Sequence, residues 1–200
     1  VSAIRDLYRK ERVKYIVCHL GIIDKTKGDH SNILLFDIDK KEVERFEPSG
    51  AYNPNGYNYN YERLDEELKT ILMKIDHQIT YYRPIDYEPV IGFLTKGSYD
   101  VQHKKLHDPK GYCISWCIWY IDMRLTYKEI PRKTFIYKMI NQINRFQLSY
   151  KNVIRNFSSK ITKQREQLLN EADIEFDSWL NKSVEISKIL NVKKIITELI

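Results

Sequence analysis

Apolar and polar positions divide the chain into a strand-rich opening and a helical close. "VKYIVCHLGIID" (13–24) is β-branched and apolar and predicts a strand. "SNILLFDID" (31–39) is almost continuously apolar, the pattern of a strand covered on both faces. "KKEVERFEP" (40–48) alternates more and reads as a third strand nearer an edge. Residues 3–12 predict a short polar helix, and "KTKGDH" (25–30) a turn between the first two strands. The loop "SGAYNPNGYNYN" (49–60) is rich in Gly and Asn, and its tyrosines either pack over the surface or form a sticky rim. Leu64, Leu68, Ile71, Leu72 and Ile75 then carry the spacing of an amphipathic helix over 61–75. "HQITYYRP" (77–84) predicts a fourth strand, closed by its proline. Residues 85–111 have little period of their own, and long irregular connections in compact domains are often functional.

From Cys113 to Ile121 only Ser115 is polar, so this helix is apolar on all sides and central. Pro131 opens another helix at the first-turn position that proline favours. Its stripe is Phe135, Ile136, Met139, Ile140, Ile143 and Phe146, continued by Tyr150, Ile154, Phe157 and Ile161. A final helix is predicted from about 174 to 190. The layout is α+β, with a central mixed sheet, a buried helix and a helical C-terminal third. Residues 1–147 read as the functional domain and 148–200 as a helical extension, packed on it or used for a partner. No internal repeat or low-complexity tract interrupts the pattern.

Composition narrows the classes. At 200 residues, 42% hydrophobic and 30% charged, the chain is long enough for a real core and too apolar for disorder. The net charge of +6 is modest and spread out, and names no nucleic-acid partner. The one basic cluster, "RKERVK" (9–14), reads as a solvated helix end. Three cysteines, an odd number, argue against a disulfide scaffold and suit a reducing compartment such as the cytoplasm. No run approaches the ~18 apolar residues of a membrane span, and no signal-peptide pattern opens the chain, which starts at Val1. Abundant Lys, Ile, Asn and Tyr hint at an AT-rich genome.

The chemistry turns on "DPKGYCISWCIWYIDMRL" (108–125). Gly111 breaks the chain just before Cys113, which therefore sits at a helix N-terminus, where a thiol's pKa falls and free N–H groups gather. Cys117 lies one turn deeper and reads as a packed core thiol, as does Cys18 in its strand. Of five histidines, His30 stands at the mouth of the second strand. A hairpin turning near 39–41 brings His30 opposite 49–51, with Glu47 a diagonal neighbour. Asp37 and Asp39 are on the order of 20 Å down the strand. Glu47 is thus the natural orienter of His30.

A strand-borne His, an acid on the next strand, a Gln and a Cys opening a buried helix resemble the adenovirus-protease and ubiquitin-like-protein (SUMO) protease superfamily. "HSNILLFDIDKKEVERFEPSG" with "GYCISWCIWYIDMRL" is closer still to the cysteine-protease-like proteins of large DNA viruses. The resemblance covers roughly 13–130. It implies a papain-like cysteine protease fold, with His30 as general base, Glu47 as acid, Cys113 as nucleophile, and Gln102 with the Cys113 N–H as oxyanion donors. The usual His-Trp pair reads His30-Ser31 here, and the sequence around the nucleophile reads Tyr112-Cys113-Ile114. Gln102 is farther from the Cys than in the family, and His107 or Asp108 are alternatives for its place.

The expectation is a thiol protease that acts on ubiquitin, a ubiquitin-like modifier or a viral precursor after a small residue. It needs no cofactor or metal and works in host cytoplasm or virion. Its mechanism is thiolate attack, then hydrolysis of the acyl-enzyme. Three other readings stand beside it. An inactive relative would act as a protein-binding module. His103, His107, Cys113 and Cys117 carry paired i, i+4 spacing that zinc accepts, although the pairs lie too close for the usual finger. The tyrosine loop could stack on single-stranded nucleic acid.

Overall fold

The computed structural model describes residues 2–9, 13–24, 28–54, 56–106 and 111–198. Strands β1 (Tyr15–Asp24), β2 (Gly28–Asp37), β3 (Glu42–Phe46) and β4 (Thr80–Tyr82) form one sheet in the order β1-β2-β3-β4. The first three are antiparallel, and β4 joins β3 in parallel. β2 lies inside the sheet, and Ile33, Leu34, Leu35 and Phe36 are all buried, which is why its sequence does not alternate. On one face Leu34, Phe36 and Val43 pack against Leu68 and Leu72 of α2 (Tyr61–Met73) and Ile75 beyond it. Asn60 caps α2, its side-chain oxygen accepting from the Arg63 N–H. On the other face α5 (Cys113–Thr126) lies against β2. Tyr120 and Arg124 of α5 donate to Glu44 of β3, so the helix is tied to the sheet by charge as well as by apolar contact.

Four expectations need correction. The third strand, expected nearer an edge, is interior: β3 pairs with β2 on one side and β4 on the other, residues 43–46 are buried, and β1 is an edge instead. The first helix is α1 (Ser2–Tyr8), and residues 10–12, with part of the expected basic cluster, lie outside the described residues, as do 25–27 of the turn. β4 spans three residues, because Pro84 opens a new helix directly after it. The connection over 85–111 is structured: α3 (Pro84–Tyr87), α4 (Phe93–Ser98) and a 3-10 turn (Val101–His103) occupy it. These pieces are too short to show a period. One aromatic anchors them: Phe93 is 1% exposed, stacks on Trp116 at 5.1 Å and meets Trp119 in a tilted contact at 5.0 Å.

Two loops cross so closely that only glycine fits. A Cβ on Gly92 would lie 2.5 Å from the Gly50 nitrogen, and one on Gly50, at φ +119°, would lie 2.5 Å from the Val90 oxygen. The approach lets Ala51 N–H donate to Pro89 O, Gly92 N–H to Ser49 O and Leu94 N–H to Pro48 O, at 2.8 Å each. The segment following β3 is thereby fastened to the start of α4.

Helices α6 (Arg132–Arg145) and α7 (Tyr150–Glu171) follow α5. The expected final helix is two, α8 (Phe176–Leu180) and α9 (Ile186–Glu198), with Lys182 at φ 54° ending the first in the left-handed region. The chain divides into two compact units, Val1–Ile154 and Arg155–Ile200, at a point inside α7. The second has its own small core of Leu169, Ala172, Ile174 and Val192. No described helix is long and apolar enough to cross a membrane.

Candidate functional site

The β2–β3 register pairs Ile33 with Phe46, and extended past the last paired residues it sets His30 opposite Ser49 and Asn32 opposite Glu47. His30 and Glu47 are 3% and 1% exposed. His30 Nε2 lies 2.7 Å from Glu47 Oε1 and 3.0 Å from Oε2. Glu47 accepts in addition from Asn32 Nδ2 at 2.9 Å, from the Ser49 N–H at 2.8 Å and from the Tyr59 hydroxyl at 3.3 Å. Its own N–H donates to Glu88 at 2.9 Å. Asn32 in turn accepts from Arg45 at 2.6 Å, and Arg45 holds Asp65 of α2 in a two-pronged pair at 2.7 and 2.9 Å. A chain of buried polar groups therefore runs from Asp65 through Arg45, Asn32 and Glu47 to His30. Each buried charge in it has a partner, the condition under which such groups are tolerated.

Cys113 is the first residue of α5, and its thiol hydrogen-bonds to His30. With Nε2 on Glu47, Nδ1 is the ring nitrogen left for the thiol. Burial alone would raise the Cys113 pKa, but the His30 hydrogen bond and the Ser31 N–H outweigh it and bring the thiol down to about 7. Burial alone would lower the His30 pKa, but the hydrogen bonds to Cys113 and Glu47 outweigh it and lift it to about 9. His30 and the Ser31 N–H thus favour the thiolate of Cys113 beside a protonated imidazole, and the thiolate is the nucleophilic form of the side chain. Cys117 is its opposite: fully buried, donating to Ser31 O at 3.4 Å, its pKa pushed far up by desolvation.

A cleft of about 590 Å³ opens over this pair. His30, Cys113, Tyr57 and Trp116 are among its lining residues, as are Lys104 and Lys151 with one carboxylate, Asp29. The Tyr57 ring leans on His30 with centroids 5.3 Å apart. Tyr57 and Tyr59 of the tyrosine loop thus pack onto the site itself, which removes them as a free stacking platform for bases.

Gln102 is not brought to the thiol: it is exposed on the 3-10 turn, and Val101 and Lys104 line the cleft there instead. The resemblance alone assigns Gln102 as an oxyanion donor, despite its distance in sequence from Cys113, and on the 3-10 turn it is exposed outside the cleft lining. The alternatives His107 and Asp108 lie outside the described residues. Among the described residues no group of three or more His, Cys, Asp or Glu could hold a metal ion, and His103 is engaged by Asp100 at 2.5 Å. Residues missed at the sequence level are Asn32, Arg45, Tyr59 and Glu88. Strand parity was the available signal for two of them: Asn32 shares a face with His30, and Arg45 shares one with Glu47.

No family model matches the chain, and no solved structure matches it. The chain is 36% identical over 205 residues to a putative ankyrin repeat protein of Acanthamoeba polyphaga mimivirus, covering 98% of this chain and 27% of that protein. It spans about a quarter of that relative's length. The relative is viral and is named for ankyrin repeats, not for peptidase chemistry. This finding overturns the expected membership in the SUMO-protease superfamily, and with it the assignment of thiol protease, deubiquitinase or other hydrolase activity.

Proposed function

We propose that this chain is a protein-binding module whose cleft takes an extended, acidic segment of a partner protein. The observation that carries the reading is the cleft itself: a pre-formed groove lined by the aromatic residues Tyr57, Tyr112, Trp116 and Tyr150, by Cys113 and His30, which the buried Glu47 holds from behind, and by two lysines against one carboxylate. Specific sites combine apolar walls with a few fixed polar groups in this way. The relative's name supports the same reading, since ankyrin repeats stack into surfaces that bind other proteins. The sheet packed on a thiol-bearing helix supports a papain-like layout for the first unit, serving binding. A reactive, unpaired thiol suits a reducing compartment such as host cytoplasm.

Fluorescence polarisation with extended acidic, neutral and basic peptides, together with ubiquitin, a SUMO-type modifier and a viral precursor segment, tests the reading. Acidic segments are expected to bind best, and Ser98→Trp, which fills the cleft from an exposed position, is expected to weaken them by at least about tenfold, or 1.4 kcal/mol. Binding unchanged by Ser98→Trp, or preference for basic peptides, would refute it.

A further inference from the structure

The cleft joins three features that a passive binding groove does not need: an accessible thiol, an imidazole that activates it, and lysines on the approach. Cys113 is half-buried and faces the open cleft. Its hydrogen bond to His30, the Ser31 N–H aimed at its sulfur and its place at the N-terminus of a 14-residue helix all favour thiolate. The other two free thiols lack this setting. Cys18 is pushed up by burial, and Cys117 is sealed inside α5. The groups facing the sulfur are His30, Ser31 and Tyr57, with Asp29, Lys104 and Lys151 farther out on the lining. The two lysines give the approach a net positive balance over Asp29.

We propose that Cys113 is a reversible S-thiolation site for an anionic low-molecular-weight disulfide of the glutathione type, and that the adduct closes the cleft to its protein partner. The closing effect rests on the binding reading above, whereas the modification does not. In the forward step the Cys113 thiolate attacks one sulfur of the disulfide. A Cys113–sulfur bond forms, the original S–S bond breaks, and the second half leaves as thiolate. Cys113 is oxidised and the small disulfide is reduced. Excess small thiol runs the same exchange backwards. A thiol with a pKa near the ambient pH reacts fastest in such exchange. Cys117 sits one helical turn away but is buried and protonated, with its S–H engaged by Ser31 O, so it does not resolve the adduct into an internal disulfide.

The test is glutathione disulfide added to the full chain at neutral pH, read by intact mass and peptide mapping. Bis(hydroxyethyl) disulfide serves as the neutral comparison. The expected result is one glutathionyl group, on Cys113, removed by dithiothreitol and absent in Cys113→Ser. Lys104→Glu combined with Lys151→Glu, at an exposed and a half-buried position of the lining, should slow glutathione disulfide by about tenfold and leave the neutral reagent unaffected, as a steering field requires. His30→Gln should slow both reagents. Modification spread equally to Cys18, or no adduct, would overturn the proposal. Equal slowing of both reagents by the lysine changes would overturn its anionic class. Peptide polarisation on the adduct then reads closure: retained affinity would sink the switch. If no peptide binds the unmodified chain, the binding reading fails, and the mass measurement still decides the modification.

Discussion

Cys113 and Cys117 stand one turn apart on α5 and have opposite chemistry, decided by what each sulfur touches. Cys113 meets an imidazole and a backbone N–H, and Cys117 meets a carbonyl oxygen inside an apolar body. Thiolate absorbance or alkylation rate against pH should therefore give one thiol titrating at about 7, well below the usual 9.0. His30→Gln should raise it toward the ordinary range, since the hydrogen bond from His30 is the first force lowering it. An unchanged midpoint would remove His30 from the site. Cys117→Ala should leave that titration in place and cost about 1 kcal/mol of stability by denaturant unfolding, as a small core deletion does.

At the scale of elements, the site depends on contacts far along the chain. The segment carrying Glu47 and Ser49 is held by the glycine crossing with 89–94. Gly92→Ala should destabilise by about 2 kcal/mol or more, since its Cβ meets backbone on the other segment and nothing flexible can yield. Gly111→Ala, which meets nothing within 4 Å, should be near neutral. Comparable unfolding midpoints for the two would refute the crossing as a clamp. On α2, Asp65→Ala leaves Arg45 charged, buried and short of its main partner, and should cost about 3–5 kcal/mol. The same change should loosen the Asn32–Glu47–His30 chain and so raise the Cys113 midpoint, a readout that simple loss of packing would not move.

At the scale of the molecule, the pair couples stability to pH in an unusual way. His30 is raised from 6.5 to about 9, so alone it stabilises fully below 6.5 and its contribution is lost as pH rises through 9. Cys113 is lowered from 9.0 to about 7, so alone it stabilises fully above 9.0 and its contribution is lost as pH falls through 7. Between about 7 and 9 the folded chain holds one extra proton on His30 and one fewer on Cys113. The slopes cancel, and urea unfolding should show a plateau there. Cys113→Ser removes one slope, so stability in that variant should fall as pH rises above 6.5. A sloping wild type with a flat variant would contradict the ion pair.

Although Ile114 and Ile118 leave one side of α5 exposed rather than central, periodicity and hairpin geometry alone were enough to read the three antiparallel strands, the α2 stripe, α5 as a helix and the approach of His30 to Glu47. All are set by local repeat and register, which the pattern of residues encodes directly. The same pattern could not read α3, α4 or the 3-10 turn, because elements of three to six residues complete no period and are held by Phe93 and by backbone contacts to 48–51. Nor could it place Gln102, whose side is chosen by a turn, or foresee that Arg45 and Asn32 carry a buried charge path between α2 and the thiol. The kinship to a viral protein named for ankyrin repeats was equally beyond a reading of motifs, since short His, Glu and Cys signatures describe a local geometry and not what a chain does with it. The helix start after Gly111 already marked Cys113 among the three cysteines, but tertiary structure alone decided which polar groups share a desolvated interior with it and so lower its thiol pKa.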